Sequence, residues 1–356
     1  MTLFRVAYLD QYKVDTRGPS SSCDSGFMSV AVQFPQTQPP GYEWLDDEPP
    51  FDPQVHLQLE MPARVVMLTD LGYTEDEIDG KATRLAASDP FRLLSDEGVA
   101  VMAETARRLE TFVKPAGDRI ERMVRGGCYR SRWLRDLCIS PEACAHMSAI
   151  YGTPVAPHPM PLHLGHLNYA PTAVDVGIDK WHHDTLPLDY VLMVTDPSQV
   201  AGGRFEYFVG TKDQAAILAA QGLTPPPERV VAPQFPGAGW AVALHGDMVV
   251  HRAGPIHDLC DRTTMVNGYV ALDARLQDQS RSVDLLAVDD PNVLYTEWAK
   301  FAAWRSKERL GDVIESLDFG ADVEAVAHEL ESAVTDVLRA VAEMRGGQVD
   351  TAHYEK

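Results

Sequence analysis

Basic residues are scarce in this chain of 356 residues. Its 31 lysines and arginines stand against 52 acids, a formal charge of −21. That balance excludes a nucleic-acid partner, since gripping phosphates takes a basic surface. It also excludes docking on an anionic membrane. Cysteine is scarce too. Cys23, Cys128, Cys138, Cys144 and Cys260 are odd in number and form no Cys-x-x-Cys pair, which excludes a disulfide framework or zinc knuckle. Reduced thiols fit a cytoplasmic location. No uncharged apolar run is long enough to span a bilayer. Met1 to Asp10 lacks the basic start and apolar stretch of a secretory signal. With 45% hydrophobic residues a core can form, so the expectation is a soluble acidic protein.

Four segments are expected, forming one integrated unit. Residues 1–60, rich in Pro, Ser, Gly and Asp, read as an irregular arm. Residues 61–155 read as mainly helical and packed on the core. Val65-Val-Met-Leu68 is one candidate strand, and Thr74, Ser95 and Ser140 are candidate helix caps. From 156 to 273, short apolar segments alternate with Gly and Pro turns: 162–169, 188–195, 204–209, 240–244, 248–252 and 262–272. That texture predicts a sandwich or jelly roll rather than a parallel sheet. Residues 274–356 read as helices. Their last apolar stripe runs through Val323, Val326, Leu330, Val334, Val337, Val341 and Met344 and predicts an inward face or a dimer seam. Monomer and homodimer both remain open.

The chemistry concentrates in three strings: Trp181-His-His-Asp-Thr185, His245-Gly-Asp-Met-Val-Val-His251 and Arg262-Thr-Thr264. On a strand, His182 and Asp184 share a face and His183 points the other way. His251 arrives from a separate strand. Two imidazoles and a carboxylate suit Fe(II), Mn(II) or Zn(II) and leave coordination positions open. Arg262 can grip a carboxylate with paired hydrogen bonds, and Thr264 can add another. A second His-x-Asp, at His245 and Asp247, is discounted because Gly246 reads as a turn. Placed on one strand, His163 and His166 fall on opposite faces and do not chelate together; His158, His163 and His166 are expected in the core or behind the ligands. The run from Arg119 to Arg135 reads as a charged helix face or as an anion clamp.

Residues 160–273 resemble the catalytic core of the Fe(II)/2-oxoglutarate-dependent oxygenases. That family carries His-x-Asp, a distal His, and an Arg followed two residues later by Ser or Thr. These match His182, Asp184, His251, Arg262 and Thr264. The resemblance implies a mainly β core with flanking helices, a double-stranded β-helix (jelly roll, cupin-like). It implies Fe(II) on His182, Asp184 and His251, with 2-oxoglutarate held by Arg262 and Thr264 and touched by Asn168. O2 is the second cosubstrate. A C–H bond of a small polar, carboxylate-bearing substrate, such as an amino acid or natural-product precursor, would be hydroxylated, desaturated or cyclised, with release of succinate and CO2. Arg204, Trp181 and Tyr207 are candidate substrate contacts. The alternatives are a zinc or manganese hydrolase or isomerase on a similar barrel, and a barrel that binds a small ligand without chemistry.

Overall fold

The computed structural model describes residues 31–117, 119–346 and 354. Cys23 and the first half of the expected arm lie outside them. From Leu162 onward the chain swings back and forth between two antiparallel sheets. His166–Tyr169, Leu188–Met193, Trp240–Leu244 and Thr263–Ala271 belong to a large ten-stranded sheet. The strands between them in sequence, Gly177–His182, Phe205–Phe208 and His251–Pro255, belong to a small four-stranded sheet completed by Val230–Val231. Alternate strands entering alternate sheets make a double-stranded β-helix, the jelly-roll fold.

The strongest apolar segments became central strands because both of their faces are covered. In Leu188–Met193 every residue is buried. Leu188, Tyr190 and Leu192 face a helical layer, while Val191 faces the interior with Phe205, Val242 and Val266. Residues 61–155, read as mainly helical, also supply Val65–Met67, Leu85–Ser88, Phe91–Arg92, Lys114–Ala116 and Ile120–Val124 to the large sheet. Leu85-Ala-Ala-Ser88 has little strand propensity of its own. Its burial between neighbouring strands decides the matter.

The helix caps stand where the sequence puts them. Thr74 caps Glu75–Ile78 in a capping box, and Ser95 accepts from the Gly98 amide at the start of Asp96–Leu109. Ser140 caps Pro141–Tyr151, which ends at Gly152 with φ +68°, a left-handed turn that glycine adopts without strain. The Arg119–Arg135 run is not one helix face. It forms the strand Ile120–Val124, a turn, and the helix Arg132–Cys138. Two long helices, Pro291–Ser316 and Val323–Gly346, close the chain and are joined by a buried Arg305–Asp336 pair at 2.8 Å. The apolar stripe on the last helix faces inward only in part: Ala333, Asp336 and Ala340 are buried, Val326, Val334 and Met344 are half-buried with Met344 against the core, and Val323, Leu330, Val337 and Val341 are exposed. The small residues pack because they let the helices approach closely.

Candidate metal centre

The Gly177–His182 and His251–Pro255 strands pair antiparallel with His182 opposite His251, so both imidazoles enter the space between the sheets. Each ring is fixed by its own strand. The Nδ1 of His182 lies 2.7 Å from the Lys180 carbonyl, and that of His251 lies 3.0 Å from the Val249 carbonyl. A carbonyl only accepts, so each Nδ1 carries the proton and each Nε2 presents a lone pair. Asp184 stands just past the strand end, where its amide donates to the Gly246 carbonyl at 2.9 Å. Gly246 is required there by close approach. A Cβ on it would sit 2.4 Å from Asp189 Oδ2 and 2.6 Å from the Leu186 carbonyl.

Asp184 Oδ1 is 3.3 Å from His182 Nε2, and Oδ2 is 3.4 Å from His251 Nε2. One ligand atom from each residue lies within 4.8 Å of the other two, and among the described residues no other such group occurs. Burial alone would raise the Asp184 carboxyl, but the groups around it, Arg119 among them as a fixed cation 3.9 Å away, hold it far below the usual range. Burial, with His182 facing it, pushes His251 down to about 4. The donor set is therefore an anion and a neutral imidazole lone pair converging on one point, with the His182 Nε2 lone pair beside them. That suits a divalent first-row metal. His183 is outside this group; its Nδ1 meets the Tyr354 hydroxyl at 2.8 Å.

Deeper between the sheets, Arg262 and Thr264 line the same pocket as His182, Asp184 and His251, together with Asn168, Val191 and Phe205. Arg262 is 1% exposed; its Nε donates to the Gly203 carbonyl and its Nη1 to Thr264 Oγ1, each at 3.1 Å. Burial lowers its pKa to about 10, so it remains a cation at neutral pH. Asn168, opposite Thr264 in the sheet, has a buried Oδ1 with no hydrogen-bond partner among the described residues.

Three sequence candidates fall elsewhere. Trp181 lies on the far face of the small sheet among Phe208, Ala215 and Val250, because it alternates with His182 along the strand. Tyr207 is in the interior cluster with Leu68 and Val249, outside the metal pocket. Arg204 precedes its strand and is exposed, bordering a separate cavity behind Arg262 with Pro197 and Phe235.

One residue escaped the sequence reading, and Arg119 entered it only as the first of a basic run. Asp179 lies 3.6 Å from His182 Nε2 and is clasped by Arg119 through bonds of 2.6 and 2.8 Å. Strict alternation puts Asp179 on the wrong face. A register shift beside the His182–His251 pair turns it inward, and a bulge of this kind leaves no mark in the sequence. Arg119 also reaches within 3.9 Å of Asp184.

His163 and His166 do not occupy one strand. His163 ends a 3-10 turn and the strand begins at His166. The turn brings both beside one cavity of about 220 Å³, whose polar lining also includes Arg119, Arg125, His183 and Asp184. In the discounted pair, His245 Nε2 lies 3.0 Å from Asp247 Oδ1.

No protein-family model matches the chain, and no curated protein does. Among solved structures, the chain is similar to the non-heme α-ketoglutarate-dependent epimerase SnoN from nogalamycin biosynthesis, at 19% identity over 50% of this chain and 74% of that one, with a TM-score of 0.37. It is similar to the non-heme α-ketoglutarate-dependent carbocyclase SnoK from the same biosynthesis, at 17% identity over 59% and 88%, with a TM-score of 0.40. It is also similar to EctD from S. alaskensis, solved with 2-oxoglutarate and 5-hydroxyectoine, at 17% identity over 68% and 87%, with a TM-score of 0.35. Likenesses at such scores carry no functional weight; the geometry of the site does.

Proposed function

We propose that the chain is an Fe(II)- and 2-oxoglutarate-dependent oxygenase acting on a small molecule. The observation that carries this reading is the convergence of His182, Asp184 and His251 in one pocket with a buried Arg262–Thr264 pair. The metal, when bound with the oxo acid and O2, supplies the oxidising power that releases succinate and CO2 and attacks a substrate C–H bond.

The residues of the chain do the rest. His182 and His251 hold the metal through Nε2 while their Nδ1 atoms stay anchored on the backbone. Asp184 supplies the anionic ligand. Arg262 takes the distal carboxylate of the cosubstrate, with Thr264 fixing the guanidinium and Asn168 adding a polar contact. Arg119 neutralises Asp179, which would otherwise repel a dianionic cosubstrate at close range. Val191, Phe205 and Val266 exclude water from the pocket. A zinc or manganese hydrolase would have no use for the Arg262 clamp.

The test is anaerobic reconstitution with Fe(II), addition of 2-oxoglutarate and air, and quantification of succinate. Iron-dependent succinate formation is expected. No succinate above the metal-free control, from protein shown to bind iron, would contradict the reading.

A further inference from the structure

The cavity beside Asp184 indicates the polarity of what enters it. This inference rests on the oxygenase reading, in which the cavity holds the substrate. One wall is apolar: Ile120, Met123, Leu186, Val266, Leu285 and Val288. The charged residues on the other walls are already matched. Arg119 clasps Asp179; Arg125 Nε lies 2.8 Å and 3.0 Å from the two oxygens of Asp289; Asp284 pairs with Arg281 at 2.8 Å. Asp184 is committed to the metal.

What is left over is hydrogen-bonding capacity without net charge. Arg125 Nη2, His163 Nε2 and His166 Nδ1 are buried and have no partner among the described residues. Burial pushes His166 down to about 3 and holds His163 well below its usual value, with Arg125 adding to both shifts. Both rings are therefore neutral, and each offers one N–H and one lone pair. Buried polar atoms without partners are costly, and a ligand that satisfies them recovers that cost. A second carboxylate in this cavity would arrive where the cations are already neutralised, and would lose its hydration without a countercharge.

We infer that the substrate is an uncharged molecule with a carbonyl or amide group, which hydrogen-bonds Arg125, His163 and His166 while its apolar body lies on Ile120 and Met123 near Asp184. This departs from the sequence expectation of a carboxylate-bearing substrate, because an acid is not the group recognised.

The experiment uses benzamide and benzoate, which match in size and differ in charge. Ligand-observed NMR titration is run on the full chain, once metal-free and once loaded with Zn(II) and 2-oxoglutarate. Benzamide is expected to bind at least about tenfold more tightly than benzoate in both states. His166→Asn and His163→Asn are each expected to weaken benzamide about five- to tenfold. Circular dichroism of each variant confirms that it is folded. Equal or tighter binding of benzoate, or binding of neither compound, overturns the inference. So does benzamide binding that both variants leave unchanged. Calorimetric titration of 2-oxoglutarate into the same zinc-loaded samples tests the oxygenase reading separately. A chain that binds 2-oxoglutarate but prefers benzoate loses only the substrate inference, whereas one that prefers benzamide without binding 2-oxoglutarate loses the cosubstrate reading.

Discussion

Arg262 carries the cosubstrate half of the reading, and its surroundings explain why it is an arginine. A guanidinium buried to 1% exposure is expensive unless its donors are used. Gly203 and Thr264 use two of them, and a carboxylate is the natural partner for the others. Arg262→Ala is expected to weaken 2-oxoglutarate binding by roughly 2–5 kcal/mol while leaving metal affinity nearly unchanged. Arg262→Lys keeps the charge but loses the planar fork, and an intermediate loss is expected. Anaerobic titration with 2-oxoglutarate checks both, and an unchanged dissociation constant in Arg262→Ala removes the clamp. This residue was legible in the sequence because Arg-x-Thr on a strand implies a shared face. So was the spacing of His182 and Asp184 with a distant His251. Asp179, its pairing with Arg119 and the joint orientation of His163 and His166 were not legible. They depend on a bulge, a hairpin and a turn whose geometry is set by distant partners.

At the scale of elements, the central strands were legible because burial on both faces writes a continuous apolar run. The strands next to the edges of the large sheet were not, since Leu85–Ser88 and Ile120–Val124 become strands only by pairing. The last helix shows the opposite failure. Its Val and Leu stripe has helical periodicity but turns only partly inward, and the helix docks through Ala333, Asp336 and Ala340, drawn in by the buried Arg305. The charged contact and the small residues outrank the stripe. Ala340→Leu is therefore expected to destabilise the protein by about 1–3 kcal/mol through overpacking. Leu330→Ser, at 45% exposure, should change stability by no more than about 0.5 kcal/mol. Chemical denaturation of the two variants distinguishes the faces; a larger loss in Leu330→Ser reverses the assignment.

For the whole molecule, the seam between the barrel and the helix Pro291–Ser316 sets the pH range of stability. Glu297 lies in this seam, 2% exposed, accepting from the Tyr129 hydroxyl at 2.7 Å and the Leu162 amide at 3.0 Å. Burial raises its pKa to about 8. The native state thus keeps a proton that the unfolded chain releases near the ordinary value of about 4.3. The stability this contributes is complete below that value and is lost as pH rises to about 8. His158, against Phe301 in the same seam, is pushed down to about 3 by burial. Its unfolded form gains a proton below about 6.5, so stability is lost as pH falls from there. Glu297→Gln should therefore gain melting temperature over the natural chain progressively from about pH 5 to about pH 8. A gap that stays constant across that range shows that Glu297 is already ionised in the fold.

All three scales meet at the metal, and the iron content of three variants tests the account most directly. His182→Ala, His183→Ala and Asp184→Ala are loaded anaerobically with Fe(II), desalted and assayed beside the natural chain, with circular dichroism confirming that each is folded. The geometry predicts one bound iron in the natural chain and in His183→Ala, whose ring turns to Tyr354, and loss of iron in the other two. Full iron in Asp184→Ala, or retention in His182→Ala with loss in His183→Ala, would contradict it.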